Sequence, residues 1–390
     1  MRLVLVIVTV LAGLIGVTVL GLVIGGSLGP TGSLYAVIGS MVWAPFGPFL
    51  LLAALVAFAI GVAARLGGLR RLGGTVAVLS ALGIAGAGVI VARISLAALA
   101  AGATLDLPST LRPEPMDQPA PDLVETVRTV EETELRAAIY LPPAAPEPAP
   151  VIAYIHGGGF VTGTNTETAA DLRWFADRGW LVVSVDYRLF GPDNPTWDKA
   201  PDDVACALVW IARNAARLGG DPARVALLGD SAGGNLAINT GFAAAAGRAM
   251  SSCGDDIPVP AAIAVQYPAV DPASIYEEGY PIPGFEPKML IEGYIGGAPE
   301  AYPERVAAVS SATHLTRDAP PTLVVLPEKD SLVVAPGTLA FVRDAEAAGV
   351  DLELVRIPFA NHVFNQIAAN SLGNQIGRTV RLRFLSQHFR

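Results

Sequence analysis

The chain has 390 residues, of which 52% are hydrophobic and only 16% are charged, and its net charge is −9. No basic run is available to neutralise a phosphate backbone, so we expect no nucleic-acid partner. The charges are unevenly placed. Up to Ala101 the only charged residues are five arginines, whereas all 35 acidic residues lie at Asp106 or later. This asymmetry predicts a membrane part followed by a water-soluble part.

Residues 1–103 are predicted to be a membrane anchor with three apolar helices. The first, Leu3 to Ile24, carries no charge and would span about 33 Å as a helix. It is longer than the apolar region of a signal peptide. Pro45 and Pro48 interrupt the second apolar segment, so we expect a kink or a helix start there. The predicted spans are about residues 3–24, 39–64 and 72–101.

Positive residues predict the orientation of these spans. Arg2 and the cluster of Arg65, Arg70 and Arg71 should face the cytoplasm. With three spans, everything after Ala101 then lies on the extracytoplasmic side of the cell membrane. This makes the protein a multi-pass membrane protein with an external soluble domain.

Residues 104–122 contain five prolines and are predicted to form an extended tether. A tether would leave the anchor dispensable for chemistry on water-soluble substrates. It would still hold the soluble domain close to membrane-borne ones.

Residues 123–390 alternate strand and helix patterns. "VETVRTV" and "ELRAAIY" are typical of a β-hairpin, and short apolar runs such as "PVIAYI" and "RVALLG" are typical of buried strands. Helical stretches separate them, the last predicted over 363–388. This alternation favours an α/β fold with a mostly parallel sheet covered on both faces. Binding sites in such sheets lie at the carboxyl ends of the strands.

Ser231 is the candidate nucleophile. It lies in "GDSAGG", directly after the run "RVALLG" and directly before a helical stretch. This is the G-x-S-x-G pattern in its strand–turn–helix context, where a tight turn pushes the serine hydroxyl outward. The alternative is a glycine-rich turn with no chemistry.

The stretch "HGGGF", from His156 to Phe160, follows the strand "PVIAYI". In esterases such a loop supplies backbone N–H groups to an oxyanion hole, together with the residue after the nucleophile. The candidate donors are therefore Gly158, Gly159 and Ala232. A flexible loop is the alternative interpretation of "HGGG" taken alone.

A catalytic triad also needs a base and an acid. Of the four histidines, His362 follows the last strand, where the order Ser–acid–His places the base. The acid should follow the strand "PTLVVLP", which leaves Asp330 and, next to it, Glu328. Position relative to the strand end favours Asp330.

Other polar residues of the soluble part are assigned structural roles. Asp230, the stretch "DYR" at 186–188 and the pair Asp202 and Asp203 suit loop pairing and helix capping. No cluster of residues suggests a metal site, and no phosphate-binding loop predicts a nucleotide cofactor. Whether Cys206 and Cys253 pair is left open.

"HGGGF", "DYRL", "GDSAGGNLA", "PPTLVVLPEKDSLV" and "ANHVF" occur in this order between residues 140 and 388. Together they resemble the α/β-hydrolase carboxylesterases of the hormone-sensitive-lipase-like group. The chain departs from that group in two places. The helical cap that usually precedes the first strands is absent or replaced by the tether and membrane helices, and the acid segment has "LPEKD", where a glycine is more usual before the acidic pair. The insertion over 272–309 is either a partial lid or a plain surface excursion.

The resemblance implies a serine hydrolase that acts on carboxylic esters without a cofactor. We therefore expect a membrane-anchored carboxylesterase or lipase with the triad Ser231, Asp330 and His362 and a small-molecule or lipid ester as substrate. Two alternatives stay open: an amidase or peptidase with the same triad, and a catalytically silent binding module on a hydrolase scaffold.

Overall fold

The computed structural model describes residues 2–30, 32–143, 148–254 and 257–389. The apolar N-terminal part forms four helices: α1 (Arg2–Ser27), α2 (Leu34–Met41), α3 (Trp43–Leu66) and α4 (Arg70–Ala100). Of these, α1, α3 and α4 are long and apolar enough to cross a membrane. At 1.5 Å per residue even α3, the shortest, is about 36 Å long, which exceeds a bilayer core of about 30 Å.

The second predicted span begins later than expected. Residues 39–41 belong to the short helix α2, and α3 starts at Trp43. Pro45 lies in the first turn of α3, where its missing N–H would have no partner in any case. Pro48 lies inside the same helix. The prolines therefore mark the start of this span, one of the two outcomes that they predicted.

The remaining part of the chain forms an eight-stranded sheet with helices between the strands. The strands are β1 (Leu123–Val130), β2 (Thr133–Tyr140), β3 (Ala149–Ile155), β4 (Leu181–Val185), β5 (Gly220–Asp230), β6 (Ala262–Gln266), β7 (Thr322–Pro327) and β8 (Leu352–Ile357). Their order in the sheet is β1-β2-β4-β3-β5-β6-β7-β8. The hairpin β1–β2 and the pair β2–β4 are antiparallel, and the pairs from β4 to β7 are parallel. The mostly parallel sheet is as predicted.

The helices of this part are α5 (Ala169–Ala176), α6 (Lys199–Asn214), α7 (Ala232–Ala245), α8 (Pro272–Glu278), α9 (Pro287–Ile295), α10 (Pro303–Val309), α11 (Ala335–Ala347) and α12 (Leu372–His388). The last helix starts nine residues later than the predicted 363. Phe359 and Val363 have φ of 58° and 52°. The left-handed backbone at Val363 cannot continue a right-handed helix. Residues 362–371 form mainly turns and bends, and the helix begins at Leu372.

The described chain divides into two compact units. The first comprises Met1–Met116, Pro327–Asp330 and Arg356–Thr379, and the second comprises Asp117–Leu326, Ser331–Val355 and Val380–Arg390. The first unit thus combines the N-terminal helices with the loops that carry Asp330 and His362. The second holds most of the sheet, Ser231 and the glycine-rich loop.

The segment predicted as a tether is hydrogen-bonded within the first unit. The Thr104 N–H donates to the Thr379 hydroxyl at 3.1 Å, and the Glu114 N–H donates to the Asn370 side-chain oxygen at 3.0 Å. Ser109–Leu111 forms a 3₁₀ turn. The first half of this segment is therefore hydrogen-bonded to other parts of the first unit, where the sequence predicted an extended tether. The division at residues 104 and 123 stays a prediction.

Candidate active site

Ser231 lies on a tight turn between β5 and α7. Its backbone has φ 55° and ψ −118°, a conformation that costs a non-glycine residue about 1–3 kcal/mol and that is concentrated at functional sites. Gly233 makes the turn possible, because a Cβ there would overlap the backbone carbonyls of Ile155 and His156. The side chain of Ser231 thus stands at the carboxyl end of a central strand, as its sequence context predicted.

Asp230, beside the serine, is held in a buried polar network. Its carboxylate accepts from the Tyr154 hydroxyl at 3.0 Å, from the Gln266 amide at 3.1 Å and from the Arg381 guanidinium at 3.1 Å. Asp230 and Arg381 are each only 1% exposed. This ion pair connects the end of β5 to α12, which is the structural role expected of Asp230.

The glycine-rich loop is placed against the serine turn. A Cβ at Gly157 would lie 3.5 Å from the Cβ of Ser231. Gly158 has φ +100°, and a Cβ there would overlap the Thr162 carbonyl oxygen, so this position requires glycine. The Tyr187 hydroxyl lies 3.1 Å from the carbonyl oxygens of both His156 and Gly157. These contacts turn the two carbonyls toward Tyr187.

His156 shapes the loop and is unsuited to be a general base. Its Nδ1 lies 2.8 Å from the Gly157 carbonyl oxygen, so Nδ1 carries a proton and donates it. Burial lowers the pKa of the His156 imidazole to about 4, which keeps the ring neutral at pH 7. The ring stacks on Tyr187 with 4.4 Å between centroids. Sequence reasoning assigned Tyr187 only to a structural "DYR" stretch and missed this support of the loop.

A small apolar cavity opens beside the serine. It has a volume of about 20 Å³, room for roughly one water molecule. Besides Ser231 its walls are glycine and apolar residues: Gly159, Phe160, Ala232, Ala269, Ile275, Leu290, Ile291, Leu332 and Val333. Three of them, Ile275, Leu290 and Ile291, come from α8 and α9 of the 272–309 insertion. This insertion therefore contributes part of the cavity wall.

In the other unit, His362 and Asp330 form a buried pair. Nδ1 of His362 lies 2.8 Å from Oδ2 of Asp330, and the two side chains are 3% and 0% exposed. Asp330 follows the end of β7 by three residues, and its loop is bonded to the His362 loop because the Lys329 N–H donates to the Ala360 carbonyl at 2.9 Å. The arrangement suits a carboxylate that orients an imidazole.

Glu328, the competing acid, has a different partner. Its carboxylate accepts from Nε of Arg356 at 2.9 Å and is partly exposed. Of the other histidines, His314 lies 2.8 Å from the Ala308 carbonyl and His388 lies against Phe384. The structure thus brings Asp330, and not Glu328, to His362.

The other polar residues singled out from sequence are paired. Arg188 binds Asp203 through Nε at 2.7 Å, and Arg128 binds Asp202 at 2.9 Å. Cys206 and Cys253 form a disulfide with 5.3 Å between their Cα atoms. Their separation in the sequence could not show whether these two cysteines pair. In the structure they pair because α6, which carries Cys206, lies next to the segment after α7, which carries Cys253.

Residues 137–342 match the model of the family described as BD-FAE. The chain belongs to the BD-FAE family. The matched region contains Ser231, the glycine-rich loop and Asp330, whereas His362 lies beyond it.

Similar curated proteins carry esterase names. Carboxylesterase NlhH of Mycobacterium tuberculosis is 40% identical over 124 residues, which are 30% of this chain and 38% of NlhH. Ethyl acetate hydrolase of Pseudomonas putida is 27% identical over 283 residues, which are 69% of this chain and 84% of that protein. Hormone-sensitive lipase of Bos taurus is 35% identical over 129 residues, 33% of this chain and 16% of the lipase. The chain spans between 31% and 54% of the mycobacterial esterases that it matches.

Solved structures show the same fold. The apo form of Thermogutta terrifontis esterase 2 is similar with a TM-score of 0.56 at 24% identity, over 70% of this chain and 96% of that one. Together with the mostly parallel sheet and its helices, this similarity identifies an α/β-hydrolase fold.

Proposed function

We propose that the protein is a membrane-anchored serine hydrolase of carboxylic esters. The observation that carries the proposal is the strained backbone of Ser231 at the end of β5, with a glycine-rich loop against it and an apolar cavity beside it. An acyl-transfer enzyme needs these three features: a nucleophile presented on a turn, backbone donors and a place for the acyl group. The esterase names of the relatives support the same reaction class.

In the proposed mechanism the Ser231 hydroxyl attacks the acyl carbonyl carbon, and Nε2 of His362 takes the hydroxyl proton. The N–H groups of Gly158, Gly159 and Ala232 hold the oxyanion of the tetrahedral intermediate. The C–O bond then breaks, and the alcohol leaves with the proton from His362. Asp330 accepts the Nδ1 proton of His362 in a hydrogen bond and stabilises the imidazolium.

Deacylation repeats the sequence with water as the nucleophile. His362 takes a proton from the water, which attacks the acyl-enzyme carbonyl. The bond to Ser231 breaks, His362 returns the proton to the serine oxygen, and the carboxylic acid leaves. No cofactor takes part in either half of this scheme.

The proposed substrate is an ester with a short acyl group. The cavity beside Ser231 holds only about 20 Å³, and the apolar side chains around it have no polar group to bind a substituted acyl chain. Any acyl group larger than a water molecule needs the cavity walls, which include residues of α8 and α9, to move, and the required movement grows with chain length. The name of the Pseudomonas putida relative, ethyl acetate hydrolase, is consistent with a short acyl group.

The proposed location is the cell membrane, with the catalytic part on the extracytoplasmic side. Three helices have the length and composition of membrane spans. The positively charged residues around them, Arg2, Arg65, Arg70 and Arg71, favour a cytoplasmic N-terminus. A disulfide between Cys206 and Cys253 suits an oxidising compartment, because cytoplasmic reductants keep most thiols reduced.

Ser231→Ala in the full-length protein tests the reaction class. We expect turnover of p-nitrophenyl butyrate to fall by at least about 10³-fold, as for the loss of a triad member, and fluorophosphonate labelling to disappear. Ser386→Ala, which removes a hydroxyl from α12, is the control and should leave both unchanged. Near-native hydrolysis by Ser231→Ala would refute the proposal. Faster cleavage of a matched butyryl anilide than of the ester would point to an amidase instead.

A further inference from the structure

The residue before the candidate base connects its loop to the N-terminal helices. The Asn361 side-chain oxygen accepts from the His362 N–H at 2.7 Å, and its amide Nδ2 donates to the Ser40 hydroxyl oxygen at 2.8 Å. Ser40 lies on α2, 321 residues earlier in the chain. Asn361 and Ser40 are only 1% and 2% exposed. One buried amide thus links the backbone of His362 to helix α2.

The proton count fixes the direction of these hydrogen bonds. The Ser40 hydroxyl donates its only proton to a carbonyl of its own helix, Ala36 at 2.9 Å or Val37 at 3.0 Å. Its oxygen is then an acceptor toward Asn361. Because the Asn361 oxygen faces the His362 N–H, the amide cannot flip without losing both bonds. An alanine at position 40 would leave a buried N–H without this acceptor, which is costly.

Helix α2 is itself held rigidly. The backbones of α1 and α2 touch at glycines, because a Cβ at Gly39 would overlap the backbone of Gly25 and Gly26. The Trp43 indole N–H donates to the Leu22 carbonyl at 3.2 Å, and this indole is fully buried. The position of Ser40, next to Gly39, is therefore set by close backbone contact with a long helix, not by a mobile loop.

The acid loop has an attachment of its own to the same helices. The Lys329 ammonium, adjacent to Asp330, donates to the Leu28 carbonyl at 2.7 Å, just beyond the end of α1. The Arg93 guanidinium of α4 lies 5.8 Å from the centre of the Phe359 ring, three residues before His362. The loops on both sides of the Asp330–His362 pair are thus bonded to the N-terminal helices.

We infer that Ser40 is a positioning residue for the general base, and that the N-terminal helices are part of the catalytic apparatus as well as an anchor. This inference rests on the proposed function, in which His362 moves the proton. Ser40 acts through Asn361 on the placement of the imidazole and does not touch the substrate. This inference runs against the expectation that the anchor is dispensable for chemistry, because it assigns part of the support of the base to α2.

The test compares Ser40→Ala with Ser80→Ala in the full-length protein in detergent, using p-nitrophenyl butyrate. Ser80 is the matched control, a fully buried helical serine of α4 whose hydroxyl has no hydrogen-bond partner among the described residues. We expect Ser40→Ala to lower kcat about 10-fold with KM within about 2-fold, because misplacing a catalytic group by a fraction of an ångström affects the transition state more than binding. Ser80→Ala should keep kcat within about 2-fold.

A double-mutant cycle with Asn361→Ala separates positioning from general loosening of the helices. If Ser40 acts through Asn361, Ser40→Ala should lower kcat by less than about 2-fold in the Asn361→Ala background. If Ser40→Ala does not fold, Ser40→Cys takes its place, since a thiol of similar size is a weak acceptor.

Equal kcat values for Ser40→Ala and Ser80→Ala, or an undiminished effect of Ser40→Ala without Asn361, would overturn the inference. If the Ser40 variants give such a result but hydrolysis still depends on Ser231 in the same assays, only the inference about Ser40 is wrong and the proposed function stands. Loss of the Ser231 dependence itself would instead remove the proposed function.

Discussion

Asp330→Asn is the sharpest test of how the candidate base works. In the wild type the carboxylate lies 2.8 Å from Nδ1 of His362, with both side chains buried, so Nδ1 carries the proton and Nε2 is the unprotonated nitrogen that can act as a base. An asparagine amide at this position can donate to Nδ1. The proton then moves to Nε2, and the imidazole can no longer act as a base toward Ser231.

The expected loss in kcat is about 10⁴-fold, the size found when the orienting carboxylate of a triad becomes an amide. At 1.36 kcal/mol per factor of ten this is about 5 kcal/mol of transition-state stabilisation. Burial of the pair supports a large value, because the two side chains are 0% and 3% exposed and bulk solvent does not screen the change in charge.

Glu328→Gln is the matched control, since it makes the same chemical change two residues away. Glu328 pairs with Arg356 at 2.9 Å on the surface, where an ion pair contributes about 0–1 kcal/mol to stability. We expect kcat within about 2-fold of the wild type. The assay is p-nitrophenyl butyrate hydrolysis at pH 7.5 by full-length variants with matched melting temperatures. Equal losses in the two variants, or a larger loss for Glu328→Gln, would refute the assignment of Asp330.

Three further outcomes are expected. Arg381→Met leaves the buried Asp230 carboxylate without its cation, so it should destabilise the fold by about 3–5 kcal/mol and lower Tm by several degrees. Arg343→Met, which breaks an exposed ion pair, should leave Tm unchanged. Equal Tm values for the two variants would contradict the structural role of the buried pair. The pKa of His156 is about 4 in the folded protein, against an ordinary value of 6.5. Between these pH values the unfolded chain therefore binds more protons than the folded protein. The contribution of His156 to the free energy of unfolding should fall by up to about 3 kcal/mol as the pH drops from 6.5 to 4. His156→Gln should flatten the Tm profile over this window, and an unchanged slope would disprove the assigned cause. Protease added to intact spheroplasts should digest the catalytic part, and digestion only after lysis would overturn the extracytoplasmic location.

Features with a short-range cause were predictable from the sequence. The three apolar helices follow from uninterrupted apolar runs longer than a bilayer core needs, and the β1–β2 hairpin follows from two adjacent strand patterns. The turn at Ser231 is equally local, because "GDSAGG" holds both the nucleophile and the small residues that the bend requires. The last helix was predicted too early, since the positive φ of Phe359 and Val363 has no signature in those two residue types.

Contacts between distant segments were decided only by the tertiary structure. Position relative to the strand end already favoured Asp330 over Glu328, but only the structure shows that Glu328 meets Arg356 while Asp330 is buried against His362. The ion pair between Asp230 and Arg381 and the disulfide between Cys206 and Cys253 were likewise revealed only by the structure. The contact of Ser40 with Asn361 has no counterpart in any local pattern. A buried hydrogen bond forms where packing brings a donor and an acceptor together. Packing joins segments that are far apart along the chain, and such contacts leave no local pattern in the sequence.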